Sequence, residues 1–90
     1  MLDQEMLEQK LYKRMYKNLK EAEKYLVLED SYNAEFSLIT AMGDDSILTL
    51  LFGIETSDED EIRFDELDKK IVELRRNSIA EKRLWANNLY

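Results

Sequence analysis

The shortage of turn-forming residues is the feature that most restricts how this chain can fold. Its 90 residues include no proline and only two glycines, Gly43 and Gly53. An all-β domain needs many tight turns, and proline and glycine supply the backbone conformations that those turns require. Because the chain has so few of them, the sequence predicts a single all-α domain over residues 1–90.

The first segment, residues 2–28, has the periodicity of a long amphipathic helix. Its apolar side chains recur at steps of three and four residues, so they share one face of the helix. The opposite face is basic and consists of Lys10, Lys13, Arg14, Lys17, Lys20 and Lys24. Tyr12 and Tyr16 interleave with these bases, a pattern that can bind nucleic acid. The net charge of −7 opposes binding to a polyanion, so a solvated or internally paired face is the preferred interpretation.

The middle of the chain is its most apolar part. We expect a turn over residues 29–33, a short helix over 34–42, a break at Gly43, and a second short helix that ends near Phe52. Gly53 would then be the left-handed C-cap. The apolar run before Phe52 has a β-strand as its alternative, but the sequence offers no convincing second strand to pair with it.

The last segment is again a long amphipathic helix. After a polar stretch over residues 55–61, Thr56 or Ser57 caps a helix that continues to about Asn88. The predicted fold is therefore a three- to four-helix bundle, in which two long amphipathic helices flank a short, more apolar helical hairpin. Its predicted core comprises Leu7, Leu11, Met15, Leu19, Leu26, Phe36, Ile39, Met42, Leu48, Leu51, Leu67, Ile71 and Leu74.

Charge is distributed unevenly along the chain. Residues 1–28 have six bases and five acids, residues 29–68 have thirteen acids and one base, and residues 69–90 have six bases and two acids. An acidic face of this density can dock on a basic surface of a partner. The alternative is that the acids cap the last helix and face the basic side of the first. The candidate partner-binding acids are Asp58, Glu59, Asp60, Glu61 and Asp65.

The residue types exclude several kinds of chemistry. The chain has neither cysteine nor histidine, so it lacks thiolates, disulfides and the commonest general base and metal ligand. Carboxylates at three-residue spacing, such as Asp65 and Asp68, can hold a divalent ion when two helices supply them. A small carboxylate enzyme is therefore one alternative, and a nucleic-acid-associated regulator is another. The preferred interpretation is a non-enzymatic protein with no catalytic residue, metal or other cofactor.

The length of the predicted helices points to a protein partner. A 27-residue helix is about 40 Å long, whereas a compact domain of this size is on the order of 30 Å across. We therefore expect a homodimer that covers apolar side chains of the first and last helices, with Trp85 at or near the interface. The expected function is that of a small acidic regulatory or inhibitory interaction protein, bacterial or phage-borne.

The expected location rests on the lack of a recognisable targeting signal. The acidic start Met-Leu-Asp-Gln-Glu lacks the pattern of a signal peptide, and no apolar run approaches the ~20 residues of a membrane span. A cytoplasmic protein without membrane association is expected.

Overall fold

The computed structural model of the protein describes residues 2–89, with the side chains of residues 3–79, Lys82 and Arg83. Its helices are α1 (Leu2–Val27), α2 (Ser31–Phe52) and α3 (Asp58–Leu89). They form a three-helix bundle in which α2 is antiparallel to both α1 and α3. The most extensive contact is between α1 and α2. No strand forms within residues 2–89, so the predicted all-α class is confirmed.

The apolar stripe of α1 lies against the rest of the bundle, as its periodicity predicts. Its buried side chains are Leu11, Met15, Leu19 and Ala22. Two residues after the end of the helix, Glu29 adopts a left-handed conformation with φ of 57°. The N–H of Glu29 donates to the carbonyl of Leu26 at 3.1 Å, and the N–H of Asp30 donates to the carbonyl of Tyr25 at 2.8 Å. These two bonds satisfy terminal carbonyls of α1 and reverse the chain into α2.

Both ends of α2 are capped by residues whose chemistry suits the position. Asp30 is the N-cap, and its Oδ1 accepts a hydrogen bond from the N–H of Asn33 at 3.1 Å. Gly53 is the C-cap with φ of 67°, so the predicted left-handed glycine is confirmed. Asp30 and Gly53 together set the length of the helix at 22 residues.

The predicted helical hairpin in the middle of the chain is wrong, because α2 continues without a break through Gly43. Glycine inside a helix costs only about 1 kcal/mol relative to alanine, which neighbouring contacts can offset. Here the next residue, Asp44, is buried and bonded to Arg14 of α1. The strand alternative for the run before Phe52 is wrong as well, since that run is helical.

A cap and three apolar side chains fix the start of α3. The N–H of Asp60 donates to Oγ of Ser57 at 3.2 Å, so Ser57 is the N-cap. Phe64, Leu67 and Ile71 then enter the core that α1 and α2 share. Beyond Ile71, none of the described side chains of α3 is buried.

The predicted core is partly confirmed. Buried as predicted are Leu11, Met15, Leu19, Leu48, Leu67 and Ile71, and Leu26 and Leu74 are half-buried. The remaining five are exposed, which contradicts the prediction: Leu7, Phe36, Ile39, Met42 and Leu51. Four of these five belong to α2, because a continuous helix turns only one face toward its neighbours. That face instead buries Ala34, Leu38 and Ala41.

The helices are staggered along the bundle axis. The molecule measures 66 × 19 × 17 Å, although the 32 residues of α3 account for only about 48 Å. The stagger leaves a short three-helix core, which is extended at one end by the start of α1 and at the other by the second half of α3.

Candidate functional surface

The outer face of α2 is the main candidate surface. It lies opposite the buried residues of this helix and consists of Tyr32, Phe36, Ile39, Gly43, Ser46 and Leu50. The four large side chains on it are 60–82% exposed. An apolar surface of this kind usually marks an interaction site in a protein of this size.

One edge of this face is formed by basic residues of α1. Nε of Arg14 donates to both carboxylate oxygens of Asp44, at 2.9 and 3.0 Å. Asp44 is 1% exposed, and this hydrogen bond with its carboxylate raises the pKa of the Arg14 guanidinium. Arg14 therefore marks the side of α1 that borders α2. Lys10 and Lys17 lie one turn before and one turn after it on the same side.

The predicted basic face is otherwise exposed. Lys10, Lys13, Lys17, Lys20 and Lys24 all face solvent, and among the described residues none of them forms an ion pair. The neighbouring aromatic residues, Tyr12 and Tyr16, make contacts within the protein. Tyr12 packs against the core and stacks on Tyr16 at a centroid distance of 6.2 Å.

Asp60, one of the candidate partner-binding acids, is turned inward. It is 8% exposed, and its Oδ2 accepts a hydrogen bond from the hydroxyl of Tyr16 at 2.9 Å. Burial and this hydrogen bond raise the pKa of Tyr16 to about 12. Asp60 therefore joins α3 to α1 and is removed from the candidate surface. The sequence could not show this, since all four consecutive acids look alike in it.

The other candidate acids remain at the surface. Asp58, Glu59 and Glu61 are exposed in the first turn of α3, where the helix dipole stabilises negative charge. Asp65 is also exposed, and its Oδ2 lies 3.1 Å from Nζ of Lys69, four residues later.

Carboxylates form the second edge of the outer face of α2. Asp45 and Thr56 are joined by a hydrogen bond of 2.5 Å. They share a shallow hollow between α2 and α3, which is lined by Met42, Asp45, Thr56, Glu61, Phe64, Asp65 and Asp68. Near Asp44 and Asp45, the apolar face thus has bases on its α1 side and acids on its α3 side.

Two further ion pairs hold α3 against the hairpin of α1 and α2. Arg63 of α3 contacts Glu23 of α1, with Nε 3.0 Å from Oε1. Arg75 pairs with Glu35 of α2, and this hydrogen bond lowers the pKa of the Glu35 carboxyl. Both pairs are partly exposed, so they orient α3 more than they stabilise it.

The remaining predicted site residue, Trp85, has a side chain that lies outside the described residues. Among those that are described, no group of three or more carboxylates is arranged to hold a metal ion. Likewise, no helix in this part of the chain has the length and apolar character to cross a membrane.

The sequence did not predict that the outer face of α2 is exposed, although one of its features indicates an apolar surface there. The segment 34–42 is apolar on most sides, which is more than a helix with a single buried face requires.

Comparisons of the chain with models of protein families, with curated proteins and with solved structures give no match.

Proposed function

We propose that this protein is a non-enzymatic interaction domain that binds a protein partner through the outer face of α2. The observation that carries the proposal is the exposure of Tyr32, Phe36, Ile39 and Leu50 along one side of a helix. Covering large apolar side chains supplies most of the affinity of protein interfaces, and aromatic residues are frequent among the strongest contributors.

A regulatory or inhibitory role fits the charges that surround this face. Asp58, Glu59 and Glu61 present exposed negative charge on α3, which would speed association with a basic surface of a partner. A cytoplasmic location and a bacterial or phage origin belong to the same proposal.

The two alternative functions have less support. A carboxylate enzyme needs acids from two helices around one ion, whereas Asp44 and Asp60 are engaged by Arg14 and Tyr16. A nucleic-acid regulator would use the lysines of α1, but the Tyr16 ring beside them is held by its hydrogen bond to Asp60 and by stacking on Tyr12.

The proposal is tested with two double variants of equal charge change. Phe36→Lys/Ile39→Lys places two charges on the outer face of α2, and Val27→Lys/Ile62→Lys places two on exposed apolar positions of α1 and α3. A partner captured from the source cell and purified should bind the first variant at least tenfold more weakly than the parent protein. The second variant should bind as the parent does. Equal binding by all three proteins would show that α2 is not the binding surface.

A further inference from the structure

The outer face of α2 has the spacing of a coiled-coil seam. Its positions 32, 36, 39, 43, 46 and 50 follow one another at alternating steps of four and three residues. This alternation is the pattern by which two helices pack along their length. A seam of this kind accepts another helix, and a second copy of α2 is one that carries the same spacing.

Gly43 lies in the middle of the seam, at a position where contacts within the chain do not require a glycine. A Cβ at this position would meet no atom within 4 Å, so the protein's own packing does not require glycine here. Glycine is unfavourable in the interior of a helix, but it allows two helix backbones to approach closely. A helix that crosses α2 at Gly43 would give the glycine a role.

The exposed area of the face is suited to a dimer. Tyr32, Phe36, Ile39 and Leu50 are 60–82% exposed. With about 200 Å² for each fully exposed large side chain, they present roughly 570 Å². A stable interface buries about 800 Å² on each partner, and the edges of the face can supply the difference. None of the seam residues is charged, so two acidic copies would not bring carboxylates together there.

The charges at the two edges indicate the direction of the pairing. Arg14, Lys10 and Lys17 lie along the α1 edge, and Glu61, Asp65 and Asp68 lie along the α3 edge. A two-fold axis parallel to α2 turns the basic edge of one copy toward the acidic edge of the other. An antiparallel pairing would instead bring bases toward bases and acids toward acids, which electrostatics disfavours.

We propose that the partner on the outer face of α2 is a second copy of this chain, with the two α2 helices parallel about a two-fold axis. This inference rests on the proposed function, since it names the occupant of the same surface. Apolar contact along the seam supplies the affinity, and the charged edges select the parallel direction.

Cysteine crosslinking tests the direction, because the chain has no cysteine of its own. In a parallel pairing each seam position meets itself, so Ile39→Cys and Leu50→Cys should each form a disulfide-linked dimer under mild oxidation. In an antiparallel pairing about Gly43, position 36 would meet position 50, so Leu50→Cys would link to Phe36→Cys in a mixture but not to itself. Ile62→Cys, exposed on α3, is the control and should stay unlinked.

Sedimentation equilibrium at micromolar concentration tests the dimer itself. The parent protein and Val27→Lys/Ile62→Lys should be dimers. Phe36→Lys/Ile39→Lys should dissociate at least tenfold more readily while keeping its helical circular dichroism, because both positions are exposed. A strictly monomeric parent protein would overturn this inference. So would disulfide formation only between Phe36→Cys and Leu50→Cys in a mixture, because that result indicates an antiparallel pairing. If the parent is monomeric and a purified partner still requires Phe36 and Ile39, the proposed function stands and only the second copy is refuted.

Discussion

Two residues of α1 hold the two buried carboxylates of the acidic middle. Arg14 binds Asp44 of α2, and Tyr16 binds Asp60 of α3. A buried carboxylate without a partner costs several kcal/mol, so each contact penalises any sliding of its helix along α1. These single side chains therefore fix the relative positions of helices whose apolar stripes alone would tolerate a shift by one turn.

Tyr16 makes the stability of the protein sensitive to alkaline pH. Burial and the hydrogen bond to Asp60 raise its pKa to about 12 in the folded state, whereas tyrosine in an unfolded chain ionises near about 10. A raised pKa contributes stability that is complete below the unfolded value and is lost as pH rises through the folded value. We expect the thermal midpoint to fall between about pH 10 and 12 as Tyr16 loses its proton.

Phenylalanine variants separate this effect from general alkaline unfolding. Tyr16→Phe should lower stability at neutral pH and should flatten its further loss above about pH 10. Tyr32→Phe removes a hydroxyl from a residue that is 75% exposed. It should therefore change neither the stability at neutral pH nor the loss of stability in alkali. Identical alkaline profiles for the parent protein and Tyr16→Phe would contradict the assignment.

The two glycines of the chain provide a test of how α2 is built. A Cβ would meet nothing within 4 Å at either position, so only backbone conformation distinguishes them. Gly43 lies inside the helix, and Gly43→Ala should raise the free energy of unfolding by about 1 kcal/mol. Gly53 has φ of +67°, where a side chain is strained, and Gly53→Ala should lower it by about 1 kcal/mol.

Urea unfolding followed by circular dichroism checks both glycine variants. The lowest workable protein concentration should be used, so that self-association contributes least. If Gly43→Ala were destabilising under these conditions, α2 would be interrupted near Gly43 in solution, as the sequence pattern predicts.

Sequence patterns predicted the first and last helices better than the middle one. The apolar stripe of α1 and the core residues Leu67 and Ile71 of α3 were identified because charged residues clearly mark the outer sides of these helices. In α2 the outer side is apolar as well, so periodicity could not decide which face is buried. Gly43 then looked like a break, because the buried contact that holds the next residue involves a base thirty positions earlier.

The candidate site was predictable only in part for a similar reason. Exposed charge on Asp58, Glu59 and Glu61 follows from their place at the start of a helix. The inward position of Asp60 depends on Tyr16, a contact across 44 positions of sequence. Two residues of the outer face of α2, Phe36 and Ile39, were assigned to the core, since large apolar side chains are usually buried.

At the scale of the whole molecule, the stagger divides α3 into two halves. The half from Asp58 to Ile71 packs on both other helices, with Ile71 only 1% exposed. The half from residue 76 onward has no buried side chain among those described. Helices without tertiary contacts are marginally stable in water, so the two halves should differ in stability although they form one helix.

Hydrogen exchange and two matched alanine variants measure this difference. Amides of residues 60–71 should exchange only through global unfolding, and those beyond residue 76 should exchange through local fraying. Ile71→Ala removes a fully buried side chain and should cost about 2–5 kcal/mol. Ile79→Ala removes one that is 51% exposed, so it should change stability by no more than about 0.5 kcal/mol.

The dependence of this hydrogen exchange on protein concentration shows whether association covers the second half of α3. A dimer through α2 leaves that half uncovered, so its protection should stay low as protein concentration rises. Protection that grows with concentration, together with a destabilising Ile79→Ala, would instead place the last helix in the interface. That outcome would favour the association through the first and last helices that the sequence predicts.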